Sequence, residues 1–126
     1  MKGDELPEIK VGVIGTGFAA GAHIEALRRI KGPRVVALAA NSQEKAEKHA
    51  ARFGVERAFG DYRSMLERAE VDVVHNCTPN HVHLEANLAA LDAGVHVLSE
   101  KPLAMDAEQT SELVEASQRA DVVAGV

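Results

Sequence analysis

The stretch Val11–Ala20, VGVIGTGFAA, limits the possible fold more than any other part of the chain. Its apolar run breaks at Gly15, Thr16 and Gly17 and continues with helical spacing, which predicts a strand, a tight turn and a helix N-terminus. Gly15 can adopt the backbone angles of such a turn, and Gly17 has no Cβ to hold a ligand away from the main chain. The unpaired N–H groups at the helix end then favour a bound phosphate.

Strand and helix patterns alternate along the whole chain. The predicted strands are Ile9–Ile14, Val35–Ala40, Val55–Phe59, residues 71–77, Val95–Leu98 and a last one starting within Val122–Val126. In the first predicted helix the apolar positions are Ala19, Ala22, Ala26, Leu27 and Ile30, and Gly32 ends it. Each later helix has a predicted N-cap. These are Asn41 or Ser42 for the second helix, Asp61 for the third, Thr78 for the fourth, with Pro79 in its first turn, and Asp106 for the fifth.

This alternation predicts the α/β class, with a doubly wound, Rossmann-type parallel sheet of about six strands in a single domain. The domain is expected to cover residues 9–126, after a flexible N-terminal tail at residues 1–8. In such a sheet, ligands bind outside the carboxyl ends of the strands, where the strand order reverses. The glycine turn, the segment 77–80 and the segment 99–102 are therefore expected to converge there.

Composition excludes several classes of function. The net charge is -5 with acids and bases interspersed, so no basic stripe is available for a nucleic-acid partner. No apolar run approaches the ~20 residues that cross a membrane. Cys77 is the only cysteine, which rules out a disulfide within the chain and favours the reducing cytoplasm. We expect a soluble, cytoplasmic protein.

Two polar segments follow predicted core strands, at the edge where the ligand is expected. Lys101 lies in one of them and has the charge to stabilise an oxygen that becomes negative during hydride transfer. The alternative for Lys101 is an exposed loop residue, which is the common case for lysine. Thr78–Asn80 lies in the other segment, and a helix start there is compatible with contacts to ribose or phosphate oxygens.

Other polar residues give weaker signals. His81 and His83 are two residues apart and so do not face the same way on a helix, which argues against a metal site together with Cys77. Cys77 follows an apolar strand and is predicted to be a small buried residue rather than a nucleophile. His23 and His75 are interpreted as packing residues of a helix and a strand, and the chain has no GxSxG motif of a serine hydrolase.

Taken together, several motifs resemble the Gfo/Idh/MocA family of NAD(P)-dependent sugar and polyol oxidoreductases. The matching stretches are GTGFAA at 15–20 with His23 beyond it, CTPNHVHLE at 77–85 and EKPLA at 100–104. The resemblance covers about Ile9–Val126 and only the N-terminal, dinucleotide-binding domain of the family. The family's C-terminal domain, which contributes a general acid/base histidine, much of the substrate site and the oligomer interface, is absent from this sequence.

The resemblance also implies which residues bind the cofactor. The implied cofactor contacts are Gly15, Thr16, Gly17, Phe18, Ala19, Asn41, Ser42, Thr78, Pro79, Asn80, His83, Glu100 and Lys101. Lys101 is the implied catalytic residue, which touches the substrate oxygen. No metal is implied.

The second predicted strand ends at Ala40, where NAD-binding members usually carry an acid that holds the ribose hydroxyls. Without that carboxylate a 2′-phosphate is not repelled, but no arginine is present to select it. We therefore expect NAD(P), with a slight lean to NADP.

These inferences predict the cofactor domain of an oxidoreductase that transfers hydride between nicotinamide and a sugar, polyol or related carbonyl or hydroxyl substrate. The full-length enzyme is expected to be a homo-oligomer, and the chain alone is expected to turn over little. The alternative is a stand-alone, non-catalytic module that binds or senses NAD(P).

Overall fold

A computed structural model describes residues 6–126. Its strands are β1 (Ile9–Ile14), β2 (Pro33–Ala39), β3 (Arg57–Phe59), β4 (Val73–Asn76), β5 (His96–Ser99) and β6 (Ala124–Gly125). Its helices are α1 (Phe18–Leu27), α2 (Gln43–Phe53), α3 (Tyr62–Arg68), α4 (His83–Asp92) and α5 (Ala107–Ala120). Residues 1–5 of the predicted tail lie outside the described residues, while residues 6–8 are exposed and form neither helix nor strand.

All six strands form one parallel sheet in the order β3-β2-β1-β4-β5-β6. The chain moves outward from β1 to β3 and then returns to the other side of β1, so the order reverses between β1 and β4. This is the strand order of a Rossmann fold, and the predicted doubly wound sheet is confirmed. The reversal opens a crevice at the carboxyl ends of β1 and β4.

Helices cover both faces of the sheet. The buried residues of α1 and α2 form one core cluster with Val11, Val13 and Leu38, and those of α3, α4 and α5 form a second with Ile14 and Val74. Because β1 is buried on both sides, its run of Val and Ile need not alternate with polar residues. The strand ends are therefore held at a fixed edge by two cores.

The first helix is shorter and faces another way than predicted. It ends at Leu27, and its buried residues are Ala20, Ile24 and Leu27, spaced by four and three. Ala22 and Ala26, which were predicted to face the core, are exposed, and so is Ile30 beyond the helix end. Alanine carries little apolar surface, so Ile24 and Leu27 decide which face meets the sheet.

Three of the predicted caps are confirmed. Ser42 rather than Asn41 caps α2, where its hydroxyl accepts from the Lys45 N–H (3.2 Å). Asp61 caps α3 and Asp106 caps α5, each accepting a backbone N–H at 2.8 Å.

The prediction that α4 begins with Thr78 as its N-cap and Pro79 in its first turn was wrong. Thr78 does not cap this helix, and Pro79 precedes a 3-10 turn at Asn80–Val82, so that α4 proper begins at His83. The Thr78 hydroxyl instead donates to Asn76 Oδ1 (2.6 Å), and no helix N–H donates to it.

Candidate functional site

Four loops lie side by side at the carboxyl edge of the sheet. Main-chain hydrogen bonds continue past the strand ends: Gly15 N–H donates to Ala39 O (2.9 Å), Cys77 N–H to Ile14 O (2.8 Å) and Glu100 N–H to Asn76 O (3.0 Å). The segments after β2, β1, β4 and β5 are thus joined in that order. The three segments that were expected to converge here do so.

The two glycines of the turn after β1 have different surroundings. Gly15 has φ +122°, and a Cβ on it would lie 2.4 Å from the carbonyl oxygen of Cys77. The turn therefore requires glycine at this position for its own geometry and for its packing on the segment after β4. At Gly17, no heavy atom lies within 4 Å of the position a Cβ would take.

This open space at Gly17 is at the N-terminus of α1. Gly17 is the N-cap residue and supplies no side-chain hydrogen bond to the helix, so the first N–H groups of α1 are available to a ligand. Phe18 projects into solvent, 94% exposed, and Ala20 is buried against the sheet. An uncapped helix start beside a space that a Cβ would fill fits a pyrophosphate group.

The edge beyond β2 carries no acid. Ala40 is buried, Asn41 is exposed, and the Ser42 hydroxyl already accepts from Lys45 N–H. Asn41 is thus the free polar side chain among these three. It offers an amide, which can donate or accept, where a carboxylate could only accept.

On the other side of the crevice, the segment after β4 presents Thr78, Pro79 and Asn80. Pro79 and Asn80 are exposed, whereas the Thr78 hydroxyl donates to Asn76 Oδ1 (2.6 Å). Because Asn76 itself is fully buried, its side chain fixes Thr78 from below.

His83 lies beneath this edge rather than on it. It is 1% exposed, and its two ring nitrogens are 2.7 Å from the Thr78 carbonyl oxygen and 2.5 Å from the Pro102 carbonyl oxygen. The ring therefore joins the segment after β4 to the segment after β5. The resemblance implies a direct cofactor contact for His83, but this burial leaves its ring no open face toward the crevice.

Glu100 belongs to a chain of three side chains that includes the two histidines taken for packing residues. His23 Nε2 is 2.6 Å from Glu100 Oε1, and His23 Nδ1 is 2.8 Å from His75 Nδ1. Burial, together with the proximity of His23, lowers the pKa of His75 to about 4, so His75 is neutral at pH 7. The three residues come from α1, β4 and the loop after β5.

Lys101 is exposed at the same edge. Within residues 6–126 its ammonium group forms no hydrogen bond or ion pair. Its neighbours on both sides are held, Glu100 by His23 and Pro102 through its carbonyl by His83. The ammonium group is thus available to an external oxygen atom.

Residues 9–126 match the sequence profile of an oxidoreductase family with an NAD-binding Rossmann fold, named for Gfo, Idh and MocA. The chain belongs to the Gfo/Idh/MocA family. The resemblance found in its motifs is confirmed, and within this family the matched region is the NAD-binding domain.

Three relatives illustrate the family. The domain resembles that of an NAD-binding oxidoreductase from Klebsiella pneumoniae, with a TM-score of 0.91 and 42% identity over 94% of this chain and 34% of the other. It is 33% identical to levoglucosan dehydrogenase from Pseudarthrobacter phenanthrenivorans, over 94% of this chain and 32% of that enzyme. It is 30% identical to myo-inositol 2-dehydrogenase from Thermotoga maritima, over 91% of this chain and 34% of that enzyme. The chain thus spans about a third of each relative's length.

A solved structure of levoglucosan dehydrogenase, in complex with NADH and levoglucosan, also superposes on this domain. The TM-score is 0.84 with 32% identity, over 93% of this chain and 34% of the other. The expected binding of a nicotinamide dinucleotide, NAD or NADP, agrees with these relatives.

The sequence analysis did not predict a buried polar cluster that lies beneath the carboxyl edge of the sheet. Asn76 donates to Asn87 Oδ1 (2.8 Å), and Asn87 donates to the Ser99 hydroxyl (3.1 Å). The signal available in the sequence was the position of Asn87, four residues before the apolar Leu91 and therefore on the same face of α4. The cluster joins β4, α4 and β5 and keeps both loops in place.

Cys77 is buried and free. Burial, and secondarily the charge of Glu100, raises the pKa of its thiol to about 12. A thiolate nucleophile is not available from it at neutral pH, in agreement with the prediction. Among residues 6–126, no group of three or more His, Cys, Asp or Glu side chains is placed to hold a metal ion.

In the part of the chain that the structure describes, no helix has the length and apolar character to cross a bilayer.

Proposed function

We propose that this chain binds a nicotinamide dinucleotide across the crevice between β1 and β4 and is the cofactor domain of a sugar or polyol oxidoreductase. The observation that carries the proposal is the open space at Gly17, at the uncapped N-terminus of α1 and beside the loops after β4 and β5. A pyrophosphate is the part of a dinucleotide that such a helix end binds.

Each part of the cofactor then has its own residues. The pyrophosphate lies over Gly15–Ala19, and the adenosine ribose faces Asn41 and Ser42 at the end of β2. The nicotinamide half lies along Thr78–Asn80 and the Glu100–Lys101 pair. His83 contributes from below, through the two carbonyl oxygens that it contacts.

The nicotinamide ring, when bound, supplies the acceptor or donor of hydride. Lys101 holds the substrate oxygen and stabilises the negative charge that develops on it. Its exposed ammonium group, without a partner in residues 6–126, is suited to that role. The general acid/base and the rest of the substrate pocket come from outside this chain, so the chain alone binds the cofactor and turns over little.

Cofactor preference follows from the end of β2. Ala40 and Asn41 carry no negative charge, so a 2′-phosphate is not repelled, and no arginine there selects it. We propose that both NAD and NADP bind, with a slight preference for NADP.

Separate observations support the substrate class, the assembly and the location. The names of two relatives, levoglucosan dehydrogenase and myo-inositol 2-dehydrogenase, support a sugar or polyol substrate. Exposed Val114 and Val126, which line one apolar groove beside β6, support a homo-oligomer. A cytoplasmic location is supported by the single, free cysteine.

Titration of the chain with NADH and with NADPH, followed by nucleotide fluorescence, tests the proposal. Saturable binding of either nucleotide is expected, with similar affinities for the two and a small advantage for NADPH. The control variant is Gly17→Val, whose side chain fills the proposed pyrophosphate site. Absence of saturable binding by the folded chain, or equal binding by the variant, contradicts the proposal.

A further inference from the structure

Within residues 6–126 the Lys101 ammonium group forms no hydrogen bond or ion pair, so the position of Lys101 depends on its two neighbours. On one side, the Pro102 carbonyl oxygen is 2.5 Å from the buried ring of His83. On the other side, Glu100 is held by its main chain, through Asn76 O, and by its carboxylate, through His23 Nε2. The Glu100 side chain is half-buried, with an exposure of 35%, and that of His23 is 18% exposed.

His23 is itself oriented by a second histidine. Its Nδ1 is 2.8 Å from His75 Nδ1, and the two rings meet edge to face at 88° with centroids 5.0 Å apart. This contact is satisfied when the His75 Nδ1–H donates to His23 Nδ1. The His23 proton is then on Nε2, from which it donates to the Glu100 carboxylate. His75 is 8% exposed and lies in β4, so the chain of contacts ends on a rigid strand.

The titratable groups next to the Glu100 carboxylate are Cys77 and His23. The buried Cys77 thiol lies close enough to Glu100 for the carboxylate to raise the pKa of Cys77. Within residues 6–126 the only side-chain hydrogen bond of the Glu100 carboxylate is with His23. Loss of His23 therefore leaves the carboxylate without a partner among these residues, and the segment that carries Lys101 is then held by its main-chain contacts alone.

We propose that His23, supported by His75, is a positioning residue that orients Glu100 and thereby fixes Lys101 against the nicotinamide half of the bound dinucleotide. This inference rests on the proposed function, because it concerns the same crevice. It assigns to His23 a role that acts through Glu100 and not by contact with the cofactor.

The test compares NADH with ADP-ribose, which has the same adenosine and pyrophosphate but no nicotinamide. The wild-type chain is expected to bind NADH more tightly than ADP-ribose. In His23→Leu, NADH affinity falls about tenfold, the equivalent of one lost hydrogen bond to a charged group, while ADP-ribose affinity is unchanged. In His23→Gln, whose amide nitrogen can still donate to Glu100, most of the difference returns.

The outcomes separate the two proposals. If the wild-type chain binds neither ligand, the proposed function fails. If it binds NADH and His23→Leu retains the wild-type difference between NADH and ADP-ribose, or loses affinity for both equally, the positioning role is overturned while dinucleotide binding stands. Equal wild-type affinities for the two ligands overturn it as well.

A second measurement does not require the His23 variant to fold. In Glu100→Ala, which changes a loop residue, ¹⁵N relaxation of the Lys101 amide reports the order of this segment directly. The order parameter is expected to fall measurably below the value of about 0.85 that is typical of rigid backbone. An unchanged order parameter means that the carboxylate does not hold Lys101, and the inference is wrong.

Discussion

Gly15 and Gly17 are two residues apart, yet the structure requires them for different reasons. Gly15 has φ +122° and lies against the Cys77 carbonyl, whereas Gly17 has an ordinary φ of -81° and faces open space. The first is a requirement of the fold, and the second is a requirement only if a ligand approaches the main chain. The sequence motif alone shows both as glycine and does not separate these reasons.

Gly17→Val is therefore expected to keep the fold and lose the ligand. Its melting temperature is expected to stay near that of the wild type, because no heavy atom lies within 4 Å of the position of the new Cβ. Gly15→Ala is the matched contrast and is expected to lose more than about 2 kcal/mol of unfolding free energy, since the Cβ is strained and clashes. Thermal unfolding of both variants checks this, and equal destabilisation would refute the distinction.

The Cys77 thiol provides a second residue-scale prediction. A pKa raised to about 12 means that the thiolate is scarce at pH 8, and burial also blocks reagents. Reaction with a disulfide reagent is expected to be slow in the native chain and fast in denaturant. Rapid stoichiometric reaction of the native chain at pH 8 would show that Cys77 is more accessible than the structure has it.

At the scale of single elements, the N-caps can be tested. The pKa of Asp61 is lowered, chiefly by the backbone hydrogen bond from Ser64, so its folded-state pKa lies below the unfolded value. Its stabilising contribution is present above the unfolded pKa of 3.8 and is lost as the pH falls through the folded pKa. Asp61→Ala is expected to cost about 1 kcal/mol at pH 7, measured by urea unfolding.

That difference between Asp61→Ala and wild type is expected to shrink at pH 2.5. A cost that stays constant with pH would mean that the charged carboxylate is not the cap. Ser42→Ala, which removes an uncharged cap from α2, is the control whose cost is independent of pH.

The elements differ in how well the sequence predicts them. Ser42, Asp61 and Asp106 were found because capping depends on residues three positions apart in the chain. The buried face of α1 was not, because it depends on which side meets the sheet, and many small residues leave the helical period ambiguous. The start of α4 was not predicted because a 3-10 turn at Asn80–Val82 precedes it, and the Thr78 hydroxyl is bonded to Asn76, two residues earlier, and not to a helix N–H.

For the whole molecule, His75 makes stability depend on pH. Its pKa of about 4 in the folded state lies below the ordinary histidine pKa of 6.5, so the unfolded chain binds more protons between these values. Stability therefore rises with pH across this window, and His75 contributes a loss of roughly 3 kcal/mol on acidification from pH 7 to below pH 4.

Urea unfolding at pH 4.5 and pH 7 measures this effect. His75→Asn is expected to lose less stability than the wild type between these two pH values, because asparagine does not titrate. Parallel pH dependence of the two proteins would mean that His75 is not buried in neutral form.

The doubly wound parallel sheet could be predicted at this scale because alternating strands and helices allow few topologies. The three loops at the carboxyl edge followed from that topology alone. The Glu100–His23–His75 chain did not, since its members are 52 and 77 residues apart and the pattern of an isolated helix or strand carries no trace of them. Burial of His83 was missed for the same reason.

The central claim, that a nicotinamide dinucleotide lies across the β1–β4 crevice, is tested most directly by mapping backbone amide shifts of the ¹⁵N-labelled chain during titration with NADH. We predict saturable shifts at Gly15–Ala19, at Thr78–Asn80 and at Glu100–Lys101, with α5 and β6 unaffected. Shifts confined to other surfaces, or no saturable shift in the glycine turn, would contradict the claim.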